Sequence, residues 1–379
     1  MMRILVANDK WAHSLTAPQA TKAVLAGWQQ VRPNDSIDCL PLSDGGPGFL
    51  TAIGSTRPDL HIIDHRAPDA LGRESTTYYL SDGTTAYIES AHTTAVGDLN
   101  ELDPFQTDSA GLGHSIRHAV DRGHTEIVVG LGGTATNDAG MGMLSALGWQ
   151  LQDANGELLP PSPRHFTAAA DLKRPAEATL RTPEGKAVAI TAACDVNTSL
   201  LGDNGTTYIY GPRKGAAADD LPRLEGAMTY ITNLVESILG CHNLHKRSST
   251  GAAGGIGFAL ATLGAELVPG AKYIADRVDL DAHIRDADLV ITGEGSFDQR
   301  SLQGKLPVHL LNQSAKHDKP ALVVAGQTPL TQHPEAEAVH SLTAFLGSRE
   351  AALDDAAIGL EKLAAAIADE WSGKTGGEE

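Results

Sequence analysis

The chain is poor in aromatic residues, in cysteine and in positive charge. Aromatics make up 4% of it, too few for the stacking platforms that hold single-stranded nucleic acid. Its three cysteines, Cys39, Cys194 and Cys241, are odd in number and far apart, with no C-x-x-C. That leaves neither a disulfide framework nor a zinc knuckle. Against 47 Asp and Glu there are 29 Lys and Arg, a formal net charge of −18. Such a surface repels phosphodiester backbones and anionic lipid, so neither nucleic acid nor membrane is expected as a partner. A basic leader and a long apolar run are also missing, and the expectation is a soluble cytoplasmic protein. No G-x-S-x-G nucleophile motif occurs.

What the chain has is glycine, 40 residues in 379, and 41% apolar residues. That length predicts two or three domains. Residues 3–7 read as a buried parallel strand, 17–31 as an amphipathic helix and 36–42 as a second strand ending in Ser43-Asp44-Gly45-Gly46. Short apolar strands followed by glycine return at 286–293 and 319–326, and a helix at 350–370 precedes a frayed tail, Ser372–Glu379. Between them, 74–90 alternates around Asp82-Gly83 as an antiparallel hairpin does. Stretches 108–150, 186–196 and 250–267 then resume an α/β pattern. The expected fold is α/β with two unlike domains. One is doubly wound (flavodoxin- or Rossmann-like) and discontinuous, from 1–64 plus 288–379. The other, 65–287, is inserted into it, with a ligand cleft between them.

Four stretches carry chemistry. In EIVVGLGGTATNDAGMGMLSALGW (126–149), a strand runs into a helix through Gly130, Gly132, Gly133, Gly140 and Gly142. Such a turn aims backbone amides at an anion without needing a Walker lysine. Thr134, Thr136 and Asn137 offer donors and Asp138 an acceptor for a metal or hydroxyl, although Thr or Asn can also simply cap the helix. In DLVITGEGSFDQRSLQGKLP (288–307), Glu294 and Asp298 follow a strand end, opened by Gly293 and Gly295, with Arg300 and Lys305 behind. Carboxylates for Mg²⁺ beside cations for phosphate oxygens are what phosphoryl transfer needs; a solvated loop of ion pairs is the rival. Asp195 ends a third apolar strand, as a base, a metal ligand or a turn cap, and Arg213-Lys214-Gly215 follows as a basic loop. Thr250–Gly257 fits T-G-x-x-x-G-x-G, but a polar stretch precedes it where a nicotinamide loop needs a strand. The i,i+4 pairs His61/His65 and His114/His118 could serve a zinc helix but have no third ligand nearby.

Together these stretches resemble the bacterial type-I glycerate kinases along nearly the whole chain. Gly130–Asp138 (GLGGTATND) is close to that family's G-I-G-G-S-A-T-N-D. Ala193-Cys194-Asp195-Val196, Gly211-Pro212-Arg213-Lys214-Gly215, Gly251–Gly255 and Ile291–Gly295 with Asp298 and Gly304-Lys305 follow in the family's order. The resemblance implies ATP- and Mg²⁺-dependent phosphorylation of D-glycerate, usually to the 2-phosphate, by two unlike α/β domains. Two places depart from it. The family's P-D-S-F-K-G-S-L reads Asn8-Asp9-Lys10-Trp11-Ala12-His13-Ser14-Leu15 here, and its A-D-G-G-E-G-T reads Ser43-Asp44-Gly45-Gly46-Pro47-Gly48-Phe49.

The resemblance implies in-line transfer to a small hydroxy acid, with Asp195 and Asp44 as candidate bases and Lys305 as a catalytic cation. Gly132, Gly133, Thr134, Thr136, Asn137, Asp138, Gly293, Glu294 and Gly295 would bind the nucleotide. Asp9, Lys10, Ser14, Arg213 and Lys214 would bind the acceptor, and Glu294, Asp298 and Asp195 the Mg²⁺. A kinase of another hydroxy acid, and a nucleotide-binding relative without turnover, remain as alternatives given Ala12, His13 and Pro47. Self-association into a homodimer stays open.

Overall fold

Ile4, Leu5, Val6 and Ala7 are all buried, as a strand covered on both faces must be. The computed structural model describes residues 1–11, 14–95, 102–176, 179–303 and 305–375. The strands are β1 (Arg3–Asn8), β2 (Ser36–Cys39), β3 (His61–Pro68), β4 (Glu74–Ser81), β5 (Thr85–Glu89), β6 (Glu126–Leu131) and β7 (Gln150–Gln152). They continue as β8 (Asp171–Lys173), β9 (Ala189–Cys194), β10 (Glu266–Pro269), β11 (Leu289–Ser296), β12 (Ala321–Gln327) and β13 (Ala338–Ser341). The chain divides into two compact units, Met1–Asp44 with Thr51–Arg57 and Ala271–Glu379, and Gly45–Leu50 with Pro58–Gly270. Expected junctions at 64/65 and 287/288 compare with 57/58 and 270/271, because all of β3 pairs with β4 and the helices Gly270–Arg277 and Leu280–Asp286 precede β11.

The first unit is built on a five-stranded sheet in the order β13-β12-β11-β1-β2, with every pairing parallel. Counted within this unit, the order is that of flavodoxin-type sheets, in which the winding direction reverses between the first and third strands. Here the reversal falls between β1 and β11, whose last paired residues are Asn8 and Gly293. Helix Ala17–Val31 starts where the sequence places it, with Thr16 and Gln19 forming a capping box. Gly27 lets this helix approach the final one, since a Cβ there would lie 2.0 Å from the Glu361 carbonyl oxygen. The expected final helix breaks at Asp355 into Arg349–Asp354 and Ala356–Thr375. It also outlasts the expected frayed start at Ser372: that residue's Oγ donates to Ala368 O at 2.9 Å and accepts from Arg32 at 3.0 Å. Gly376–Glu379 lie outside the described residues.

The second unit holds a mixed six-stranded sheet in the order β10-β9-β6-β5-β4-β3, and β7 pairs with β8. Strands β5, β6, β9 and β10 are parallel, while β4 and β3 fold back antiparallel. The expected β4–β5 hairpin forms because Asp82 Oδ1 accepts from Thr84 N (3.0 Å) and Thr85 N (2.7 Å), with Gly83 at φ +90°. Ile127, Val129, Leu131, Leu112, Ile116 and Ile256 belong to its apolar core; burying each such side chain stabilises by roughly 1.5–3 kcal/mol. His61 and His65 sit on β3, not on a helix, so four residues of strand separate them by roughly 13 Å. His65 instead stacks on His118 and bonds Ser115 Oγ at 2.8 Å.

Candidate active site

In the second unit the glycine-rich turn leaves β6, and its glycines let neighbouring elements approach it closely. A Cβ at Gly132 would lie 2.5 Å from Asp195 Oδ2 and 2.7 Å from Gly46 Cα. At Gly130 it would lie 2.5 Å from the Phe49 ring. The missing side chains thus bring Asp195, from the end of β9, and the Gly45–Phe49 turn against the loop. Lys214, at the end of a short 3-10 turn (Gly211–Lys214), is buried with its ammonium 2.5 Å from Thr136 O and 3.2 Å from Thr134 Oγ1. Burial lowers its pKa to about 8, while Asp138 and Asp195 act in the opposite sense. Thr136 Oγ1 and Asn137 Oδ1 are buried without a hydrogen-bond partner among the described residues. Lys214, Thr134, Thr136 and the positive-φ turn at Gly133 (φ +65°) together suit an anionic oxygen group.

Asp138 is occupied differently from the expectation. It accepts from Ser109 N (2.9 Å), Ser109 Oγ (2.7 Å), Gly140 N (3.0 Å) and Gly142 N (3.0 Å), and so ties the loop to helix Met141–Ala146. Burial raises its carboxyl above the ordinary carboxylate range, and those bonds only partly oppose the rise. Arg213, next to Lys214, is exposed. The Thr250–Gly257 stretch packs on the loop: Ala253, Gly254 and Gly255 all have positive φ inside helix Ala252–Thr262. A Cβ at Gly254 would fall 1.9 Å from Thr136 O and 2.8 Å from Lys214 Nζ. Gly254→Ala is therefore expected to destabilise the unit by about 1–3 kcal/mol, read as a lower urea midpoint with unchanged m-value.

In the first unit, charged groups gather at the carboxyl ends of β1 and β11. Asp9 is 4% exposed and its backbone N–H donates to Gly293 O at 3.0 Å. Lys10 Nζ stands 3.1 Å from Asp44 Oδ1 and 3.9 Å from Asp9 Oδ1. Burial, then Asp44, pushes the Asp9 carboxyl up to about 7 against the pull of Lys10, and Glu294 adds to the rise. Glu294 is also buried and raised by that burial, with Lys305 Nζ 3.5 Å from its Oε2 opposing. Its Oε1 has no partner among the described residues. Gly293 allows this crowding, because a Cβ there would lie 2.0 Å from Val324 O.

Asp9, Lys10, Asp44, Glu294 and Lys305 thus form one group. Asp298 is turned to its own loop, bonded to Arg300 Nη2 and Arg300 N (both 2.8 Å) and held down to about 2. Ser14 Oγ donates to Trp11 O at 3.3 Å, closing a local turn. Ala12, His13 and Gly304 lie outside the described residues. Glu294 Oε1 and the neighbouring carboxylates are hard oxygen donors that fit Mg²⁺. No ready-made set of three His, Cys, Asp or Glu exists among the described residues. That is compatible with an ion which takes one or two carboxylates and completes its shell with phosphate and water.

One residue in each unit was not singled out from the sequence. Asn8 is buried with neither Nδ2 nor Oδ1 partnered among the described residues. Glu89, ending β5, accepts from Gly48 N and Leu50 N at 3.1 Å each and so fixes the turn packed on the glycine loop. A carboxylate closing the otherwise apolar run TAYIE was the available signal for Glu89.

The chain is similar to known proteins over most of its length. A model of the glycerate kinase family matches residues 4–372. A glycerate 2-kinase of Escherichia coli (strain K12) is 34% identical over 329 residues, 86% of this chain and 85% of that protein. A glycerate kinase of Bacillus subtilis (strain 168) is 33% identical over 331 residues, with the same shares covered. A solved structure from Salmonella typhimurium LT2, described as a proposed glycerate kinase 2, superposes with a TM-score of 0.78 at 32% identity over 99% of both chains. No helix among the described residues is long and apolar enough to cross a membrane.

Proposed function

The chain belongs to the glycerate kinase family, and from that premise we propose that it moves the γ-phosphoryl group of ATP, in line, onto the 2-hydroxyl of D-glycerate. Its reaction class is phosphoryl transfer to an alcohol. The observation that supports these residue roles is the buried group Asp9, Lys10, Asp44, Glu294 and Lys305 at the point where the first unit's sheet reverses its winding.

Asp9 is the proton acceptor in this reading, because a carboxyl raised to about 7 is matched to a hydroxyl that loses its proton near neutral pH. Lys10 keeps Asp9 and Asp44 from repelling each other fully, and Lys305 offsets Glu294 and phosphate oxygens. Lys214, Thr134 and the amide of Gly133 hold phosphate oxygens, with Asp138 and Asp195 favouring the charged Lys214 ammonium. Mg²⁺, when bound, offsets charge on the triphosphate, and Glu294 and Asp44 would hold it.

The test is a coupled ADP-release assay with D-glycerate, L-glycerate and D-lactate, with and without Mg²⁺, and phosphorus NMR of the product. Turnover is expected with D-glycerate and Mg²⁺, giving the 2-phosphate. ATP binding without ADP release for any hydroxy acid would sink the reading; a 3-phosphate product would overturn its regiochemistry alone.

A further inference from the structure

Asn8 breaks the pattern of its own strand. Ile4 and Val6, which share its face of β1, lie in an apolar core with Leu289, Ile291 and Val324. The next residue on that face ought to be apolar as well. A carboxamide stands there instead, 0% exposed. The family's P-D-S-F-K-G-S-L has proline at this position, so the carboxamide does not come with the motif. An asparagine amide has two N–H donors and a carbonyl with two lone pairs to satisfy. Neither Nδ2 nor Oδ1 of Asn8 has a partner among the described residues. Its backbone, by contrast, is paired: Asn8 is in register with Gly293, and Leu42 N donates to Asn8 O at 2.9 Å. A buried amide left in this state is costly, and such breaks of a local rule concentrate at functional sites.

The position agrees with that reading. A Cβ on Gly293 would lie 3.0 Å from Asn8 Oδ1, so the amide uses the space this glycine leaves open. Gly293 O accepts the N–H of Asp9 at 3.0 Å. The residue after it is Glu294, whose Oε1 is another buried atom without a partner among the described residues. Asp9 (4%) and Glu294 (5%) are enclosed much as Asn8 is. An acceptor admitted to these carboxylates therefore enters the same closed corner of the first unit as the amide. The chemistry narrows what the amide pairs with. A carboxylate or phosphate only accepts, so it would answer Nδ2 and leave Oδ1 facing another acceptor. A hydroxyl both donates and accepts.

We propose that Asn8 is a specificity-determining residue: its carboxamide hydrogen-bonds the acceptor's second hydroxyl, the one that is not phosphorylated, and so discriminates against acids that lack it. Which hydroxyl reacts rests on the kinase reading; the binding of a hydroxyl at Asn8 does not.

Asn8→Leu, which continues the apolar stripe, is the test, with Asn8→Ala beside it in case leucine does not fit. The probes are D-glycerate and D-lactate, which has a methyl group in place of the hydroxymethyl. Two readouts are taken, kcat/KM in the ADP-release assay and the rise in melting temperature that each acid produces without ATP. The wild type is expected to prefer D-glycerate by about 10²-fold or more in kcat/KM, because the acid without the hydroxyl leaves the amide unpaired. D-glycerate should also raise its melting temperature more than D-lactate does. In the variants the preference should shrink to within about tenfold, through a loss on D-glycerate and with the KM for ATP unchanged. The ligand-free leucine variant should melt at or above the wild type, since an unpartnered buried amide has given way to an apolar group. A purely structural asparagine would do the reverse, lowering the melting temperature while the preference stayed. A preference for D-glycerate that survives in both variants, or a wild type that responds equally to the two acids, overturns the proposal. If no acid is turned over, the kinase reading fails while the melting-temperature shifts still decide Asn8.

Discussion

Lys214→Met is expected to lower kcat/KM for ATP by about 10²–10³-fold, the usual loss when one fixed donor to a transferring group is removed. The lysine is buried, and its ammonium lies on Thr136 O (2.5 Å) and Thr134 Oγ1 (3.2 Å). Nothing else described on this loop supplies a full positive charge at that point. Arginine should not rescue it, because Gly254 closes on Nζ so tightly that even a Cβ would stand 2.8 Å away. The folded pKa of about 8, below the ordinary 10.5, gives a second signature. As pH rises through 8 the ammonium discharges, so kcat/KM falls there in the wild type and that limb is missing in the variant. Bound phosphate favours the charged form, which moves the same limb of kcat to higher pH. The stability effect has the opposite trend. Between about 8 and 10.5 the unfolded lysine keeps a proton that the folded one has released, so its unfavourable burial is relieved as pH rises. At pH 7 the methionine variant should therefore melt above the wild type, and the difference should shrink as pH rises from about 8 to 10.5. A wild-type kcat/KM in a folded variant would remove Lys214 from the proposed chemistry.

How much of this could be read in the sequence depended on whether a local signal matched the environment. Helix Ala17–Val31 was legible because its cap, its proline and its apolar face all agree. The β4–β5 hairpin was legible because Asp82-Gly83 carries the turn. Strand β3 was not, since adjacent Ile62 and Ile63 spoil its alternation and its pairing partner lies after a turn at Asp69–Gly72. The glycine loop announced itself, yet the sequence could not say which polar residues face a ligand. Asp138 turned out to be consumed by four internal donors, and Lys214 to be threaded beneath Thr136. In the same way the carboxylates of 288–307 looked equivalent. Only placement showed that Glu294 is buried beside Asp9's neighbourhood while Asp298 is spent on Arg300. At Thr250–Gly257 the polar lead-in already spoke for close packing over a nicotinamide loop, and its glycines do pack closely on Thr136 and Ala139.

Asp9→Asn is expected to stop turnover almost entirely while making the protein more stable at pH 8. The two effects share one cause. The carboxyl is 4% exposed and its folded pKa is raised from 3.8 to about 7 by burial and by Asp44. In the unfolded chain it ionises from pH 4 upward, whereas in the folded chain it stays protonated until near 7. The unfolded state thus binds fewer protons in that window, and stability falls as pH rises from about 4 to 7, by on the order of 1.4 kcal/mol per pH unit for this one group. Above 7 the penalty is complete and constant. An amide of the same shape never ionises, so its melting temperature should exceed that of the wild type at pH 8, and the difference should shrink as pH falls toward 4. Turnover should drop by 10²-fold or more, since the amide cannot take the hydroxyl proton. Whatever activity remains in the variant should also lack the acid limb near 7 that the wild-type kcat/KM shows. Scanning calorimetry at pH 5 and 8 beside the ADP-release assay measures both. A variant that loses activity but gains no stability at high pH would mean that Asp9 is already paired well enough to sit charged in the folded protein. In that case the proton acceptor has to be sought at Asp44, whose partner Lys10 stands 3.1 Å away, or at Asp195.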